Sequence, residues 1–252
     1  RDRELLNHPD RDSYDLSSLR TLGGGGGPRP AEHVKALDKN FKGRPGIGYG
    51  LTETNALGTM GAGDEYINNP SSAGRVVPPL TEIKIIDENW QELPEGKIGE
   101  VAIRSQSNMK GYWRNDDATA ECINSEGWFK SGDLGKFDGP FLYILDRLKD
   151  MVIRGGENIA CPEVEGAIYE HPDVLEASVF GIPDERLGEI LCSSICLREG
   201  SKLSVESLNE FLSDKLAAFK IPVKIKFTYN PLPKIASGKF DKPTMRQNFI
   251  EE

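Results

Sequence analysis

The chain has 252 residues, of which 37% are hydrophobic and 28% are charged, so it is long enough to bury a core and to form one large domain or two smaller ones. Its formal net charge of −9 would repel phosphate groups, which argues against non-specific nucleic-acid binding. It has no apolar run long enough to span a membrane and no apolar signal core. Its four cysteines and three histidines lack the spacing of a zinc site. We therefore expect a reduced, cytoplasmic protein whose partners are small molecules or proteins.

The first segment, "RDRELLNHPD", is typical of the interior of a helix that Pro9 then ends. A complete domain rarely begins in this way. We therefore expect the chain to be a piece of a longer protein.

A run of five glycines, Gly23–Gly27, follows the short strand pattern "LSSLRTL". After Pro28, the segment "PAEHVKAL" predicts a helix with Pro30 near its first turn. A strand, a glycine turn and a helix in succession favour close approach of a ligand to the backbone. A flexible linker is the alternative interpretation of the glycine run.

The segment "IGYGLTETNALG", residues 47–58, fits neither the period of a helix nor the alternation of a strand. It combines glycines with an aromatic ring, hydroxyl groups and a carboxylate. This composition predicts a loop whose backbone lies close to another group, which is either a nucleotide or a neighbouring core element.

The middle of the chain predicts a small antiparallel meander. Two runs with strand character, Ile83–Ile86 and Gly99–Arg104, are joined by polar turn residues. We interpret Tyr112, Trp113 and Trp128 as aromatic side chains that pack this meander against the core.

Asp133 lies between two glycines in "SGDLG", and this pattern predicts a turn. Its carboxylate could accept two hydrogen bonds from a vicinal diol such as a ribose. The alternative is an aspartate that only stabilises the turn.

A charged stretch between Asp146 and Arg154 follows the strand pattern "FLYIL" and predicts a domain junction. Beyond it, we expect a helix near Glu163 to Tyr169, strands at "LEASVFGI" and "ILCSSICL", a helix at "VESLNEFLSDKLAAF" and a strand at "KIKFTY". These elements predict two domains, residues 1–147 and 148–252, of which the second is a small α+β domain.

Near the end of the chain, "PLPKIASGKFDKPTMRQ" predicts a loop that holds Lys239 beside Gly238, before a short helix. A loop lysine is usually solvated, so the local sequence assigns it no role.

Four segments occur in the order and spacing of the acyl-adenylate-forming superfamily, which the chain resembles over essentially its whole length. They are "YGLTET" (residues 49–54), "SGDLG" (131–135), "DRLKDMVIRGGENIACPEVE" (146–165) and "PKIASGKFDK" (233–242). That superfamily holds acyl-CoA synthetases, nonribosomal peptide synthetase adenylation domains and beetle luciferases. The resemblance implies an α/β fold, the C-terminal part of the large N-domain with its small meander or barrel, followed by a mobile α+β C-terminal domain.

The family reaction has two halves, and the resemblance implies ATP, Mg²⁺ and coenzyme A as cofactors. A carboxylate attacks the α-phosphate of ATP to give acyl-AMP and pyrophosphate, and a thiol then displaces AMP. The implied nucleotide and acyl-binding residues of the first segments are Gly24, Gly25, Gly48, Tyr49 and Gly50. Tyr49 would stack on adenine, Thr52 would bind a phosphate oxygen, and Glu53 would hold Mg²⁺.

The later motifs imply the remaining site residues. Asp133 matches the residue that binds both ribose hydroxyls, and Arg147 matches one that supports ribose or phosphate. Lys239 matches the catalytic lysine of adenylate formation, since a positioned ammonium stabilises negative charge in the transition state.

Lys149 matches the hinge about which the C-terminal domain swings between the half-reactions. The glycines Gly155 and Gly156 would leave room for the pantetheine arm of coenzyme A. One family motif is missing, because the phosphate-binding loop with its lysine, normally well upstream of "YGLTE", is absent from the sequence. We therefore expect the isolated chain to be inactive.

Substrate choice is the least determined feature. The segments "GYGLTETNALGTM" and "NMKGYW" most resemble medium- or long-chain fatty-acyl-CoA ligases, which implies a fatty acid or a related carboxylic acid. Two alternatives stay open: an adenylation domain that loads a carrier protein, and a catalytically inert nucleotide-binding fragment.

Overall fold

The computed structural model describes residues 5–6, 8–27, 29–236 and 238–251. The first residues of the predicted N-terminal helix, Pro28 after the glycine run and Ser237 in the Lys239 loop lie outside the described residues. The chain divides into two compact units, Arg1–Leu145 and Asp146–Glu252. The predicted domain boundary at residues 147/148 stays a prediction.

In the described part of the first unit, eight strands form one sheet in the order β1-β2-β3-β4-β8-β7-β6-β5. Strands β1 and β2 are parallel, whereas the pairs β2–β3, β3–β4, β4–β8, β5–β6 and β6–β7 are antiparallel. The strands are β1 (Thr21–Gly25), β2 (Arg44–Tyr49), β3 (Thr59–Ala62), β4 (Arg75–Val76), β5 (Thr81–Ile86), β6 (Gly99–Ser105), β7 (Phe129–Asp138) and β8 (Phe141–Arg147). The last two residues of β8, Asp146 and Arg147, belong to the second unit. The helices are α1 (Ala31–Asn40), α2 (Gly63–Asn68) and α3 (Asp116–Cys122).

The predicted meander is confirmed by β5, β6 and β7. Val101 and Ile103 alternate with Ala102 along β6, and all three are fully buried because both faces of this strand are covered. Burial of an aliphatic side chain of this size stabilises the fold by about 1.5–3 kcal/mol. Trp128 is also buried, against Ile86 and Ala102, as the sequence predicts.

Helix α1 confirms the prediction for "PAEHVKAL", since it begins at Ala31 directly after Pro30 and buries Val34 and Leu37. The glycine run differs from its prediction. Its first three residues, Gly23–Gly25, are not a turn but the end of β1. They remain extended because β1 forms a parallel ladder with β2 along this segment.

The second unit is an α+β fold. Five strands form one sheet among its described residues, in the order β10-β9-β12-β11, with β13 parallel to β12. The strands are β9 (Val152–Arg154), β10 (Glu157–Ile159), β11 (Val174–Asp184), β12 (Gly188–Leu197) and β13 (Lys224–Thr228). The helices are α4 (Cys161–Tyr169), α5 (Val205–Ser213) and α6 (Lys242–Ile250).

Strands β11 and β12 are covered on both faces. One face, with Val179 and Leu191, packs with residues of α4 and α5, and the other, with Phe180 and Cys192, packs with residues of α6. Such strands have nearly continuous apolar sequences, as "LEASVFGI" and "ILCSSICL" do.

Helix α5 is shorter than predicted. It begins after Ser204, whose side chain accepts a hydrogen bond from the Ser207 amide, and it ends at Ser213. The last predicted residues instead form a separate 3-10 turn, Ala218–Lys220. None of the helices in the described ranges is both long enough and apolar enough to cross a bilayer.

Candidate functional site

The parallel pair β1 and β2 presents bare backbone at one edge of the first sheet. Both strands end there, with Gly25 opposite Gly48 and Tyr49 directly after it. A Cβ on Gly25 would lie 2.8 Å from the Gly48 carbonyl oxygen, so a side chain at this position would force the strands apart. A Cβ on Gly26 or Gly27 would meet no atom within 4 Å. The edge therefore combines tight strand packing with open space beside the glycines.

The residues after Tyr49 form a 3-10 turn, Thr52–Thr54. The Leu51 amide donates to Thr54 Oγ1 at 3.0 Å, and this bond fixes the turn. Gly50 is required by the turn itself, since a Cβ there would collide with the backbone of Ala56. The side chain of Thr52 is exposed and that of Glu53 is half-buried, so both are accessible to a ligand.

Tyr49 and Asp133 are brought together although they lie 84 positions apart. The Tyr49 hydroxyl donates to Asp133 Oδ2 at 2.8 Å. Asp133 is only 6% exposed, and its own amide donates to Ser131 Oγ at 3.1 Å. The buried carboxylate and the tyrosine hydroxyl that it accepts from therefore both belong to the first unit.

The predicted turn at Asp133 is wrong, because this residue lies inside β7. Strand β6 pairs with β7 on both sides of it, through Glu100 to Leu134 and through Ala102 to Lys130. The two extra residues on β7 form a bulge, in which Gly132 has a φ of 72° and donates its amide to Glu100 Oε1 at 2.9 Å. The bulge, and not a turn, accounts for the glycine before Asp133.

Glu53 is held by residues of the segment after β6. The Tyr112 hydroxyl donates to Glu53 Oε1 at 2.9 Å, and the Met109 amide donates to the Glu53 carbonyl oxygen at 2.7 Å. Burial, and then the hydrogen bond to Glu53, raise the pKa of Tyr112 to about 12. At neutral pH the phenol therefore keeps its proton and remains a donor.

The predicted packing role of the aromatic residues is wrong for two of them. Trp113 is 86% exposed, with the Arg114 guanidinium over its ring, and it belongs to none of the apolar clusters formed by the described residues. Tyr112 is 38% exposed and contacts Glu53 instead. Sequence reasoning missed this contact because its partners lie 59 positions apart and no local pattern links them.

The donor atoms of the turn fit Mg²⁺ bound together with a phosphate. Glu53 and Thr52 offer a carboxylate and a hydroxyl, which are hard oxygen ligands. Among the residues that the structure describes, no group of three or more His, Cys, Asp or Glu could hold a metal ion. Mg²⁺ usually binds through one or two carboxylates together with substrate phosphates, so this sparse set is compatible with a nucleotide-bound Mg²⁺.

In the second unit, Asp146 anchors the segment that carries Arg147 and Lys149. Asp146 is buried and accepts the Arg147 amide on Oδ1 and the Cys161 amide on Oδ2, each at 2.7 Å. Burial raises the pKa of Asp146, although both backbone hydrogen bonds oppose that rise. The Asp150 amide closes a turn onto the Arg147 carbonyl oxygen at 3.0 Å. The exposed side chains of Arg147 and Lys149 thus project from a fixed turn.

Gly155 and Gly156 form the two-residue connection between β9 and β10, with φ angles of 59° and 89°. These left-handed angles explain the glycines by backbone geometry alone. The Gly155 amide donates to the Leu187 carbonyl oxygen at 2.7 Å.

Lys239 lies in a loop before α6, as predicted. The Ile235 amide donates to the Lys239 carbonyl oxygen at 2.9 Å, and Gly238 has a φ of 84°. The Lys239 side chain is exposed. A tight loop therefore presents the Lys239 ammonium three residues before the start of α6 at Lys242.

Family comparisons match both units. The model described as AMP-binding enzyme matches residues 3–113, and the model described as AMP-binding enzyme C-terminal domain matches residues 163–239. A feruloyl-CoA synthase of Amycolatopsis sp is 37% identical over 247 residues, which cover 97% of this chain and 49% of that protein. The mitochondrial medium-chain acyl-CoA ligase ACSF2 of Danio rerio is 36% identical over 249 residues, which cover 97% and 41%.

Solved structures also match nearly the whole chain. The amide bond synthetase McbA from Marinactinospora thermotolerans matches with a TM-score of 0.90 and 33% identity, over 98% of this chain and 51% of that one. The o-succinylbenzoate coenzyme A synthetase MenE from Bacillus subtilis, solved with ATP and a magnesium ion, matches with a TM-score of 0.84 and 30% identity, over 100% and 50%. The chain thus spans about half the length of the proteins that it matches.

Proposed function

Because the chain belongs to the adenylate-forming superfamily of AMP-binding enzymes, and corresponds to its C-terminal half region, we propose that the whole protein is an ATP-dependent acyl-CoA synthetase. It would convert a carboxylic acid to acyl-AMP with release of pyrophosphate, and would then transfer the acyl group to coenzyme A. The observation that carries the proposal is the 2.8 Å hydrogen bond from Tyr49 to Asp133, because it joins the "YGLTET" and "SGDLG" segments at one place.

These two residues would hold the nucleoside. The ring of Tyr49 would stack on adenine, and Asp133 would accept hydrogen bonds from the ribose hydroxyls. A carboxylate has two oxygens and accepts several hydrogen bonds, so it can serve the diol beside the Tyr49 hydroxyl. The backbone at Gly24, Gly25, Gly48 and Gly50 would line the adenine and acyl side of the site.

The phosphates would lie against the 3-10 turn. Thr52 would donate to a phosphate oxygen, and Glu53 would be the protein ligand of Mg²⁺ when the metal is bound. That ion would supply charge neutralisation on the phosphates. The ATP-bound and magnesium-bound MenE structure supports both cofactors for this chain.

Residues of the second unit would serve the two half-reactions. Lys239 would stabilise the negative charge that builds on the reacting oxygens during adenylation. Lys149 would be the hinge, Arg147 would support ribose or phosphate, and Gly155 and Gly156 would border the pantetheine arm.

We place the substrate among the fatty acids. The similarity to a medium-chain acyl-CoA ligase supports this choice, and the "NMKGYW" segment agrees with it. A cytoplasmic location belongs to the same proposal and is supported by the four free cysteines.

The test uses the full-length protein. Carboxylate-dependent ATP–pyrophosphate exchange is measured with a panel of fatty and aromatic acids, and acyl-CoA formation is measured for each active acid. Asp133→Asn should abolish most exchange, whereas the control Asp138→Asn, at the exposed end of the same strand, should leave it unchanged. Exchange followed by transfer only to a carrier protein would favour the adenylation-domain alternative. Nucleotide binding without any exchange would favour an inert nucleotide-binding protein.

A further inference from the structure

The segment after β6 contacts the 3-10 turn at three points, and we propose that Tyr112 is a positioning residue that fixes the Glu53 carboxylate as a ligand for a nucleotide-bound Mg²⁺. The inference rests on the proposed function and extends it to Tyr112, a residue of the "NMKGYW" segment to which no role is assigned above. Tyr112 would touch neither the metal nor the substrate. It would act only through Glu53.

Two of the three contacts hold the backbone of the turn. The Ser107 hydroxyl donates to the Thr54 carbonyl oxygen at 3.0 Å, and the Met109 amide donates to the Glu53 carbonyl oxygen at 2.7 Å. These bonds fix where the Cα atom of Glu53 lies. The third contact, from the Tyr112 hydroxyl to Glu53 Oε1 at 2.9 Å, fixes the side chain.

Tyr112 is itself held in place by the start of α3. Its amide donates to Thr119 Oγ1 at 2.9 Å, and that hydroxyl donates to the Asn115 carbonyl oxygen at 2.9 Å. Asn115 also accepts the Ala118 amide through its side chain, as the cap of the helix. Gly111 permits the close approach, since a Cβ there would lie 2.8 Å from Thr119 Cγ2. The phenol is therefore attached to a helix end and not to a loose loop.

The arrangement leaves one carboxylate oxygen for a cation. A phenol donates a single hydrogen bond, and here it goes to Oε1. In the described part of the chain no hydrogen bond to Glu53 Oε2 is formed, so Oε2 is available to a metal ion. Outer partners of this kind typically change metal affinity by about 10–100-fold, because they restrict the ligand to one orientation.

The functional test compares Tyr112→Phe with Tyr229→Phe in the full-length protein. The control also removes a phenol oxygen. In the other unit, the Tyr229 hydroxyl donates to the Ser201 carbonyl oxygen at 2.9 Å, the same distance as in the contact of Tyr112. At saturating ATP, Tyr112→Phe should raise the Mg²⁺ concentration for half-maximal ATP–pyrophosphate exchange by about tenfold, while the KM for the carboxylate stays constant. Tyr229→Phe should leave both values unchanged. An unchanged Mg²⁺ requirement in Tyr112→Phe overturns the inference.

A second measurement needs no activity. Urea unfolding of the 252-residue chain is recorded for the wild type, Tyr112→Phe, Glu53→Ala and the double variant. If the phenol binds the carboxylate, Tyr112→Phe lowers the unfolding midpoint in the wild-type background and has no effect in the Glu53→Ala background. An equal shift in both backgrounds contradicts the contact. Absence of exchange in the wild-type protein would reject the proposed function, and the metal role of Tyr112 with it. The unfolding of the four variants would still show whether Tyr112 and Glu53 interact.

Discussion

Asp146→Asn should destabilise the second unit, and the main cause should be a lost hydrogen bond and not the lost charge. The two oxygens of Asp146 accept different backbone amides, Arg147 on Oδ1 and Cys161 on Oδ2. An asparagine has one carbonyl oxygen, so its NH₂ group must face one of these two N–H donors. One hydrogen bond is lost at a site where the carboxylate is only 6% exposed.

The magnitude follows from the lost bond. A buried donor left unsatisfied costs about 1–3 kcal/mol. Removal of the charge has two opposing effects on stability. It removes the cost of burying a carboxylate, which raises the pKa of Asp146, and it removes the attraction between Asp146 and Lys242. The lost hydrogen bond therefore decides whether the substitution destabilises the unit. We expect the free energy of unfolding of the second unit to fall by about 2 kcal/mol.

The control is Asp184→Asn. Asp184 also accepts two backbone amides, from Arg186 and Leu187, but both bonds go to the same oxygen, Oδ1. The amide oxygen of an asparagine can keep both, so the change should stay within about 0.5 kcal/mol.

Two probes separate the units in this experiment. All three tryptophans, Trp90, Trp113 and Trp128, lie in the first unit, so tryptophan fluorescence reports its unfolding, while circular dichroism reports both units. Asp146→Asn should shift the dichroism transition toward lower urea and leave the fluorescence transition in place. Equal stability of Asp146→Asn and Asp184→Asn would refute the reasoning.

Three further outcomes are expected. In the full-length protein, Lys239→Ala should reduce acyl-AMP formation by orders of magnitude and spare thioester formation from supplied acyl-AMP; equal loss in both half-reactions, assayed separately, would remove Lys239 from this role. Lys242 lies 3.2 Å from Glu165, and the attraction of its acidic neighbours raises its pKa although burial opposes this. The stabilisation by the charged Lys242 side chain should be complete below pH 10.5 and should decline as the pH rises further. The free energy of unfolding, measured as a function of pH, should fall in this range in the wild type and fall less in Lys242→Met. Equal dependence on pH in the two proteins would argue against this role. The 252-residue chain alone should catalyse no ATP–pyrophosphate exchange, because its sequence has no glycine and hydroxyl-rich phosphate loop with a lysine, while limited proteolysis should leave a stable piece that begins near residue 148. Robust exchange, or failure to recover that piece, would contradict this.

Elements with a strong local period could be predicted from the sequence. The helix at Ala31, the strands at Ile83–Ile86 and Gly99–Arg104 and the loop at Lys239 were recognisable because each depends on neighbours a few residues away. The bulge at Asp133 was not, since it is produced by pairing with a separate strand.

The candidate site shows the same limit. Its residue types were suggested by motifs, but the contacts of Tyr49 with Asp133 and of Glu53 with Tyr112 join positions 84 and 59 residues apart. Local sequence cannot specify such contacts. Gly50, Gly155 and Gly156 illustrate the converse, because the tight turns in which they lie already require glycine.

The hairpin of β11 and β12 predicts an order of folding within the second unit. Its strands are joined by only three residues, 185–187, so the entropic cost of closing the loop is small. The parallel partner β13 is separated from β12 by 26 residues, 198–223. We expect it to pair after the hairpin, because closing the longer loop costs more chain entropy. Both apolar clusters of the unit include residues of this hairpin. A substitution that delays the hairpin, for example at Val179 or Phe180, should therefore slow the assembly of both clusters together.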